Sequence, residues 1–289
     1  MSIKTFIAVN WLALSLVFAG LSGSATASPT ANRSVPEHST PQLGLVLPDD
    51  PSEDQIKSAR IFSEPLIPIG HKPTALENEQ VALALRGYVQ RSVPDDFSSL
   101  EHFVGQNPDS AWTPVLLFDL ATDYYNTGWY SKCLKTWEKA WPALKNATAP
   151  DAKALGDRAA GELAYMYARL GRMGALKSLL DSIQNRNIIG SATQRISGAR
   201  QGLWNMEHRP GVSFKCGPFA LDRILAYEDP MKADNPFIRD AQSTTNGCSL
   251  DQVAELSRKV GLNYQMAYRS PGASLILPAV VNWLSLIHI

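Results

Sequence analysis

The residue whose type and surroundings best suit chemistry is Cys216, within the stretch GVSFKCGPFALDRILA (211–226). Apolar residues follow it at helical spacing, and Pro218 is predicted to take the first helical position, where its missing N–H costs nothing. Cys216 is therefore expected directly before a helix, where orphan N–H groups and the macrodipole stabilise an anion. A thiolate is the nucleophilic form of cysteine, so this placement predicts a reactive thiol. The alternative is a small, half-buried cysteine that only packs at a helix start.

The run CGPFAL (216–221) resembles the nucleophile motif of papain-like cysteine peptidases. The closest resemblance is to the bacteriocin-processing peptidases that remove double-glycine leaders, family thirty-nine of the cysteine class. The segment 247–270 is similar to the loop, helix and Gly-Leu turn that follow in that family, and LPAVVNW (277–283) resembles the strand before its catalytic histidine. The resemblance covers about residues 211–283 and implies thiol proteolysis with Cys216 as nucleophile, without cofactor or metal.

The chain departs from the papain-like pattern at the oxyanion hole. These enzymes place a glutamine about six residues before the cysteine, where its amide and the cysteine N–H bind the developing oxyanion. Pro210 occupies that position here, and Gln201 lies too far upstream to take the role. His208 precedes Cys216, whereas the family's histidine follows its cysteine. The sequence therefore predicts either a different oxyanion donor or a motif that has lost activity.

The last six residues, LSLIHI (284–289), look like a translated transposase mosaic-end adapter from a sequencing library. His288, the only histidine after Cys216, is then a coincidence of the adapter, and the biological sequence is expected to stop near Trp283. The family's catalytic histidine and its orienting aspartate would follow that point. The chain as given is therefore expected to be an inactive fragment of the peptidase.

Length and charge limit the class of protein. The chain has 289 residues with 27 basic and 27 acidic side chains, which gives no electrostatic reason to expect nucleic acid or an anionic membrane surface as partner. Lys4, an apolar run over 6–21 and the A-x-A site at 25–27 predict a secretory signal peptide, 1–27, cut after Ala27; the alternative is an uncleaved transmembrane anchor. No second apolar run is long enough to span a bilayer. The expected location is secreted, periplasmic or cell-surface.

The three cysteines, Cys133, Cys216 and Cys248, leave two arrangements open in an oxidising compartment. An odd count suggests one free thiol and one disulfide. If Cys133 pairs with Cys248, Cys216 stays free as a nucleophile must; if Cys216 is in the bridge, the enzyme interpretation fails. The family resemblance places Cys248 in a structural loop, as a bridge or a spectator.

Between the signal peptide and the cysteine region the composition predicts two segments. Residues 28–73 are rich in proline and serine, which favours an extended or disordered linker with a short helix near 52–62. Residues 74–208 have helical periodicity throughout and are similar to tetratricopeptide repeats, with turns at Gly128 and Gly171. Pro108 and Pro142 are about 34 positions apart, which is the period of that repeat.

Apolar residues at helical spacing predict three helix pairs and a final helix in this region. Thr113 is expected to cap one helix with Pro114 at its first position, and Pro142 is expected to end the next. The predicted core residues are Val81, Leu85, Tyr88, Phe97, Leu100, Phe103, Trp112, Leu116, Leu117, Leu120, Tyr124, Tyr130, Leu134, Trp137, Trp141, Leu155, Ala159, Leu163, Tyr167, Leu170, Met173, Leu176, Leu179, Leu180, Ile183, Ile196, Ala199, Leu203 and Trp204.

After the Cys216 helix, the pattern predicts a polar loop, a helix and two strands. Ser249 and Gln252 have the spacing of a capping box, and Gly261 is expected to close the helix. Residues 264–269 and 275–283 are predicted to be short strands. The region 209–283 is thus expected to be a partial papain-like cysteine peptidase domain.

The predicted fold class is mainly α: tetratricopeptide-like helix pairs followed by the truncated, helical first half of a papain-like α+β domain. The predicted function is cleavage of a peptide or protein substrate, including a downstream region of its own full-length chain, through a Cys216 acyl-enzyme. The alternative is a non-catalytic module in which the helical repeats bind a peptide or protein. Faster alkylation of Cys216 than of free cysteine would favour the enzyme.

Overall fold

The structure, a computed structural model, describes residues 4–8 and 47–268 and then positions 270, 273, 274 and 276–280. For 4–8 it describes the backbone alone. The chain is mainly α-helical, as the sequence predicts. The helices of the larger part are α1 Glu53–Ser58, α2 Ala75–Val89, α3 Ser98–Gln106, α4 Thr113–Asn126, α5 Tyr130–Lys145, α6 Pro150–Arg169, α7 Met173–Ser182 and α8 Ser191–His208.

Helices α2 to α8 enclose a larger hydrophobic core, and the predicted core residues other than Trp204 lie in it or pack against it. The placement of Trp204 in the core is wrong: the residue is 45% exposed and its ring stacks on His208. Each helix contacts the next one along the chain, and α6 also packs against α8. The two largest side chains that are fully buried are Trp112 and Trp137. Burial of apolar surface on this scale is the main source of stability in a helical domain, since helix propensity alone is a weak term.

Residues 47–73 correct the linker prediction, because they pack against the helical domain. Ile56 has no exposed surface, and Leu66 and Ile69 are buried in the larger core. The predicted short helix is α1, and the Ser52 side chain caps it. Proline and serine enrichment indicated the lack of regular structure correctly, but isolated apolar residues between the prolines supply enough buried area to fix the segment.

Two helix boundaries differ from the sequence predictions. Thr113 is the first residue of α4 and not its cap; its hydroxyl donates a hydrogen bond to the Asn107 carbonyl at 2.5 Å. Pro142 lies inside α5, which continues to Lys145, because Leu144 is fully buried and a proline near a helix end removes a single hydrogen bond. The turn glycines Gly128 and Gly171 have φ of 84° and 65°, a conformation that other residues rarely adopt.

The second, smaller core is built on the elements that follow α8. These are α9 Pro210–Ser213, α10 Cys216–Glu228, a 3-10 turn Pro230–Lys232, α11 Pro236–Arg239 and α12 Leu250–Lys259. Leu221, Leu225, Ile238 and Val253 meet in this core. Phe214 packs against the larger core, so the segment just before Cys216 is fixed to the helical domain.

Two short strands are described. Strand β1 (Lys4–Ala8) lies within the predicted signal peptide and pairs antiparallel with β2 (Tyr264–Tyr268). The prediction of a strand near 264–269 is therefore confirmed. The second predicted strand, 275–283, is wrong over residues 276–280, where the chain forms no strand. Pro278 lies in the middle of that segment, and proline has no N–H to donate to a strand ladder.

Candidate functional site

Cys216 lies at the start of α10, as its surroundings in the sequence predict, but the helix begins two residues earlier than predicted. It is the first residue of the helix, after Lys215, and Pro218 is the third helical residue and not the first. The shift is tolerated because none of the first-turn N–H groups has a helical acceptor, so a proline anywhere in that turn loses no hydrogen bond. The residue is exposed. Solvent and solutes therefore reach the thiol at the N-terminus of a helix.

Gly217 allows α10 and α12 to approach closely beside the thiol. A β-carbon on Gly217 would lie 2.6 Å from Cγ2 of Val253, a residue of the smaller core, and 3.7 Å from Cβ of Cys248. Contacts under 3.0 Å require a shift of one partner, and the Val253 methyl is packed and cannot turn away freely. The glycine of the CGP motif thus has a local physical reason, which is helix contact.

Cys248 is the second thiol at this site. It precedes the cap of α12, where Ser249 and Gln252 form the predicted capping box with distances of 3.2 and 2.8 Å. Its Sγ lies 3.8 Å from the Gln242 carbonyl oxygen, to which it donates. Burial raises the pKa of the Cys248 thiol, the neighbouring Cys216 raises it further, and Lys215 acts in the opposite direction. The two cysteines therefore share one electrostatic environment.

Lys215 is a site residue that the sequence analysis missed. Only 5% of its surface is exposed, and its Nζ donates to the Arg239 carbonyl at 2.6 Å. The carbonyl belongs to the last residue of α11, so the ammonium satisfies an acceptor that the helix end leaves open. A buried lysine is costly unless its charge is compensated, and here it joins α11 to the start of α10. The position of Lys215 next to Cys216 in the sequence did not predict that it would be buried or bonded to α11.

The loop between α11 and α12 is hydrogen-bonded to the residues before Cys216. Ser243 donates from its backbone N–H to the Gly211 carbonyl at 3.2 Å and from its hydroxyl to the Pro210 carbonyl at 3.1 Å. Pro210, the position at which papain-like enzymes have glutamine, begins α9. Gln242, in the same loop, lies close enough to Gly211 that a β-carbon there would be 2.3 Å from its Oε1. The loop thus places a glutamine near α9, but this glutamine follows Cys216 in the sequence, whereas the glutamine of papain-like enzymes precedes the cysteine.

A cleft of about 440 Å³ opens beside the start of α10 between α11 and α12. Pro218 and Cys248 line the cleft, whereas Cys216 itself does not, and Val253, Leu256 and Phe237 supply apolar surface. The remaining lining residues are Pro236, Asp240, Ala241, Gln242, Gln252, Glu255 and Lys259. The volume lies within the range of small-molecule and peptide side-chain sites.

The three cysteines are all free thiols. Cys133 is buried in the larger core, and burial raises its pKa far above the usual range of a thiol. Cys248 packs against the smaller core next to α10. The Cys133–Cys248 pairing is therefore not formed, and Cys216 and Cys248 are the two cysteines that lie near each other.

None of the described histidines forms a hydrogen bond with Cys216. His208 is the last residue of α8; its ring stacks on Trp204 at a centroid distance of 4.6 Å, and Nδ1 lies 2.9 Å from the Trp204 carbonyl oxygen. His71 contacts Glu77. His288 lies outside the described residues, as does the adapter-like segment 284–289. The described part of the chain therefore provides the thiol and its surroundings but no imidazole base beside it.

A second group of titratable residues lies in the helical domain. Asp119 is 2% exposed and its Oδ2 accepts no hydrogen bond. Burial, with Glu64 and Asp123 nearby, holds the pKa of Asp119 well above its usual range, and Arg158 opposes this only in part. Within the described ranges, no group of His, Cys, Asp and Glu is arranged to hold a metal ion. The same ranges contain no helix that is both long and apolar enough to cross a membrane.

No protein-family model, curated protein or solved structure matches this chain significantly.

Proposed function

We propose that this chain carries the nucleophile-bearing part of a papain-like thiol peptidase, in which the Cys216 thiolate attacks a peptide carbonyl. The observation that supports this most directly is an exposed thiol at the first residue of α10, beside a cleft of about 440 Å³. Buried packing cysteines lack both features, as Cys133 does in the larger core. The resemblance of CGPFAL to the nucleophile motif of bacteriocin-processing peptidases adds to the argument.

Attack by Cys216 forms a bond between Sγ and the carbonyl carbon, and the carbonyl oxygen becomes an oxyanion. The N–H groups of Cys216 and Gly217 are in the first helical turn, which has no helical acceptors for them, and they are suited to bind that oxygen. Loss of the amine gives a thioester, which water then hydrolyses. The base that accepts the thiol proton and protonates the amine would come from outside the described residues.

The proposed substrate is a peptide or protein segment in extended form. Val253, Leu256 and Phe237 give the cleft an apolar wall that suits an aliphatic or aromatic side chain next to the scissile bond. A downstream region of the full-length chain is one such segment. The helical domain, with turns at Gly128 and Gly171, is proposed to be tetratricopeptide-like and to hold the substrate or partner. Secretion is proposed from the leader-like first residues, and the domain boundary at 208/209 stays a prediction.

A second candidate is a non-catalytic peptide-binding module. The observation that favours it is the engagement of His208 with Trp204, together with the absence of any hydrogen bond from a described histidine to Cys216. In that case the helical repeats bind a peptide or protein, and the cysteine region does not cleave it.

Thiol chemistry distinguishes the two candidates without requiring turnover. The reduced full chain is treated with iodoacetamide at pH 7 and, separately, with an activated peptide ester, and the modified residue is identified by mass spectrometry. The peptidase proposal predicts that Cys216 is alkylated faster than free cysteine and forms a thioester that Cys216→Ala abolishes. Cys248→Ala is the matched control and should keep the thioester. Alkylation of Cys216 at the rate of free cysteine, with no thioester, would support the binding module.

A further inference from the structure

We infer that Cys216 and Cys248 form a redox pair that closes to a reversible disulfide across the starts of α10 and α12. Cys216 is the first residue of α10, and Cys248 lies directly before the cap of α12, the neighbouring helix of the smaller core. Cys248 Cβ lies 3.7 Å from the place of a β-carbon on Gly217, the residue after Cys216. Disulfides join residues whose β-carbons are about 4 Å apart. Cys216 is the terminal residue of its helix, and helix ends fray, so it can complete the approach without disturbing the core.

The third cysteine does not compete for this bond. Cys133 is fully buried in the larger core, whereas Cys248 packs against the smaller core. Cys216 is exposed and Cys248 is half-buried. An external oxidant therefore reacts with Cys216 first. Cys248 is the thiol placed to attack the mixed disulfide that forms on Cys216.

The charges around the pair suit thiol–disulfide exchange. Lys215, which precedes Cys216, is held in place by its hydrogen bond to the Arg239 carbonyl, and its positive charge acts on the Cys248 thiol. A cation stabilises the thiolate that must attack, and exchange proceeds by thiolate attack on a disulfide sulfur. Gly217 keeps α12 close enough for the second step.

With oxidised glutathione as the oxidant, the chemistry balances in two exchanges. The Cys216 thiolate attacks one glutathione sulfur, forms a mixed disulfide and releases one glutathione thiolate. The Cys248 thiolate then attacks Cys216 Sγ and releases the second. The net reaction converts two protein thiols and one glutathione disulfide into one protein disulfide and two glutathione thiols. Reduced dithiol reagents reverse it.

The functional consequence rests on the proposed peptidase. In the disulfide, the Cys216 sulfur is bonded to Cys248 and cannot attack a carbonyl, and the bridge lies at Cys248, a residue that lines the cleft. The enzyme would be inactive while oxidised and active after reduction. Redox state would then decide when a substrate segment is cut.

The test uses the full chain with oxidised glutathione at pH 7.5, followed by intact and peptide mass spectrometry without reductant. The expected result is loss of two hydrogens, a cross-linked tryptic pair that contains Cys216 and Cys248, and complete loss of alkylation at both residues. Dithiothreitol should restore alkylation. Cys133→Ser should behave as wild type, and Cys248→Ser should stop at a glutathione adduct on Cys216.

A wild-type protein that also stops at the glutathione adduct would overturn the inference. Failure of the proposed function is separate, because thioester formation by Cys216 is measured on reduced protein. A disulfide without thioester formation retains the redox pair and rejects the peptidase. If reduced wild type and Cys248→Ser both form the thioester but oxidised wild type forms no disulfide, the result supports the peptidase and rejects the redox pair. Circular dichroism of each variant verifies that it is folded.

Discussion

Replacement of Gly217 by alanine tests whether the CGP glycine is required for helix contact. Alanine favours a helix over glycine by about 0.5–1 kcal/mol, so propensity alone predicts a more stable α10. The added β-carbon would lie 2.6 Å from Val253 Cγ2, and this methyl must move by about 1 Å to reach normal carbon contact. Forcing an extra carbon into a packed core costs about 1–3 kcal/mol. The packing term exceeds the propensity term, so we expect a net loss of about 1–2 kcal/mol.

Amide hydrogen exchange followed by mass spectrometry measures this loss where it occurs. Exchange in α10 and α12 should be about tenfold faster in Gly217→Ala than in wild type, while α2 to α7 remain unchanged. Gly198→Ala is the matched control: it lies inside α8, where a β-carbon meets nothing within 4 Å, so it should slow exchange there. If Gly217→Ala slowed exchange in α10 as the control does in α8, the close-contact argument would be refuted.

Three further predictions concern buried charges. Asp119→Asn should stabilise the protein above pH 5, because the pKa of Asp119 is raised in the folded state and wild type therefore loses stability as the pH rises from the unfolded-state pKa towards the folded-state pKa. In urea unfolding, the difference in free energy between variant and wild type should grow by at most about 1.4 kcal/mol per pH unit and vanish near pH 3.5. A difference that does not depend on pH would contradict this prediction. Asp157→Asn should instead destabilise the protein by about 3 kcal/mol in the same assay at pH 7. Asp157 is as buried as Asp119, but its carboxylate pairs with Lys153 at 2.9 Å and with Arg186. A variant as stable as wild type would show that these ion pairs do not contribute to stability. Lys215→Met should accelerate exchange in α11 severalfold, because the methionine keeps the packing but gives the α11 carbonyl no donor, and unchanged exchange would show that the hydrogen bond is dispensable.

Local patterns in the sequence predicted local structure well. The Ser249–Gln252 capping box, the turn at Gly128 and the start of a helix at Cys216 each depend on a few neighbouring residues, and the structure contains all three. Apolar spacing also identified the core residues of the helical domain other than Trp204, since the helical period determines which side of a helix is buried.

Contacts between distant residues could not be predicted in the same way. The hydrogen bond of Lys215 to α11 and the position of Cys248 beside Gly217 depend on how α10, α11 and α12 meet. Packing of Ile56 into the larger core depends on helices that come later in the chain. Composition describes the average behaviour of a segment. A single buried apolar residue can be enough to make a segment pack whose composition predicts an extended or disordered linker.

The packed segment 47–73 also constrains the order of folding. Glu64 pairs with Arg158 of α6, and Ile69 donates its N–H to the Ala111 carbonyl at 2.8 Å. During synthesis the segment leaves the ribosome before any of these partners exists, so its docking cannot be complete until α6 has been translated. Contacts of such long sequence separation carry a loop-closure cost and form late. Segment 47–73 is thus translated early but is among the last parts of the described chain to reach its native position.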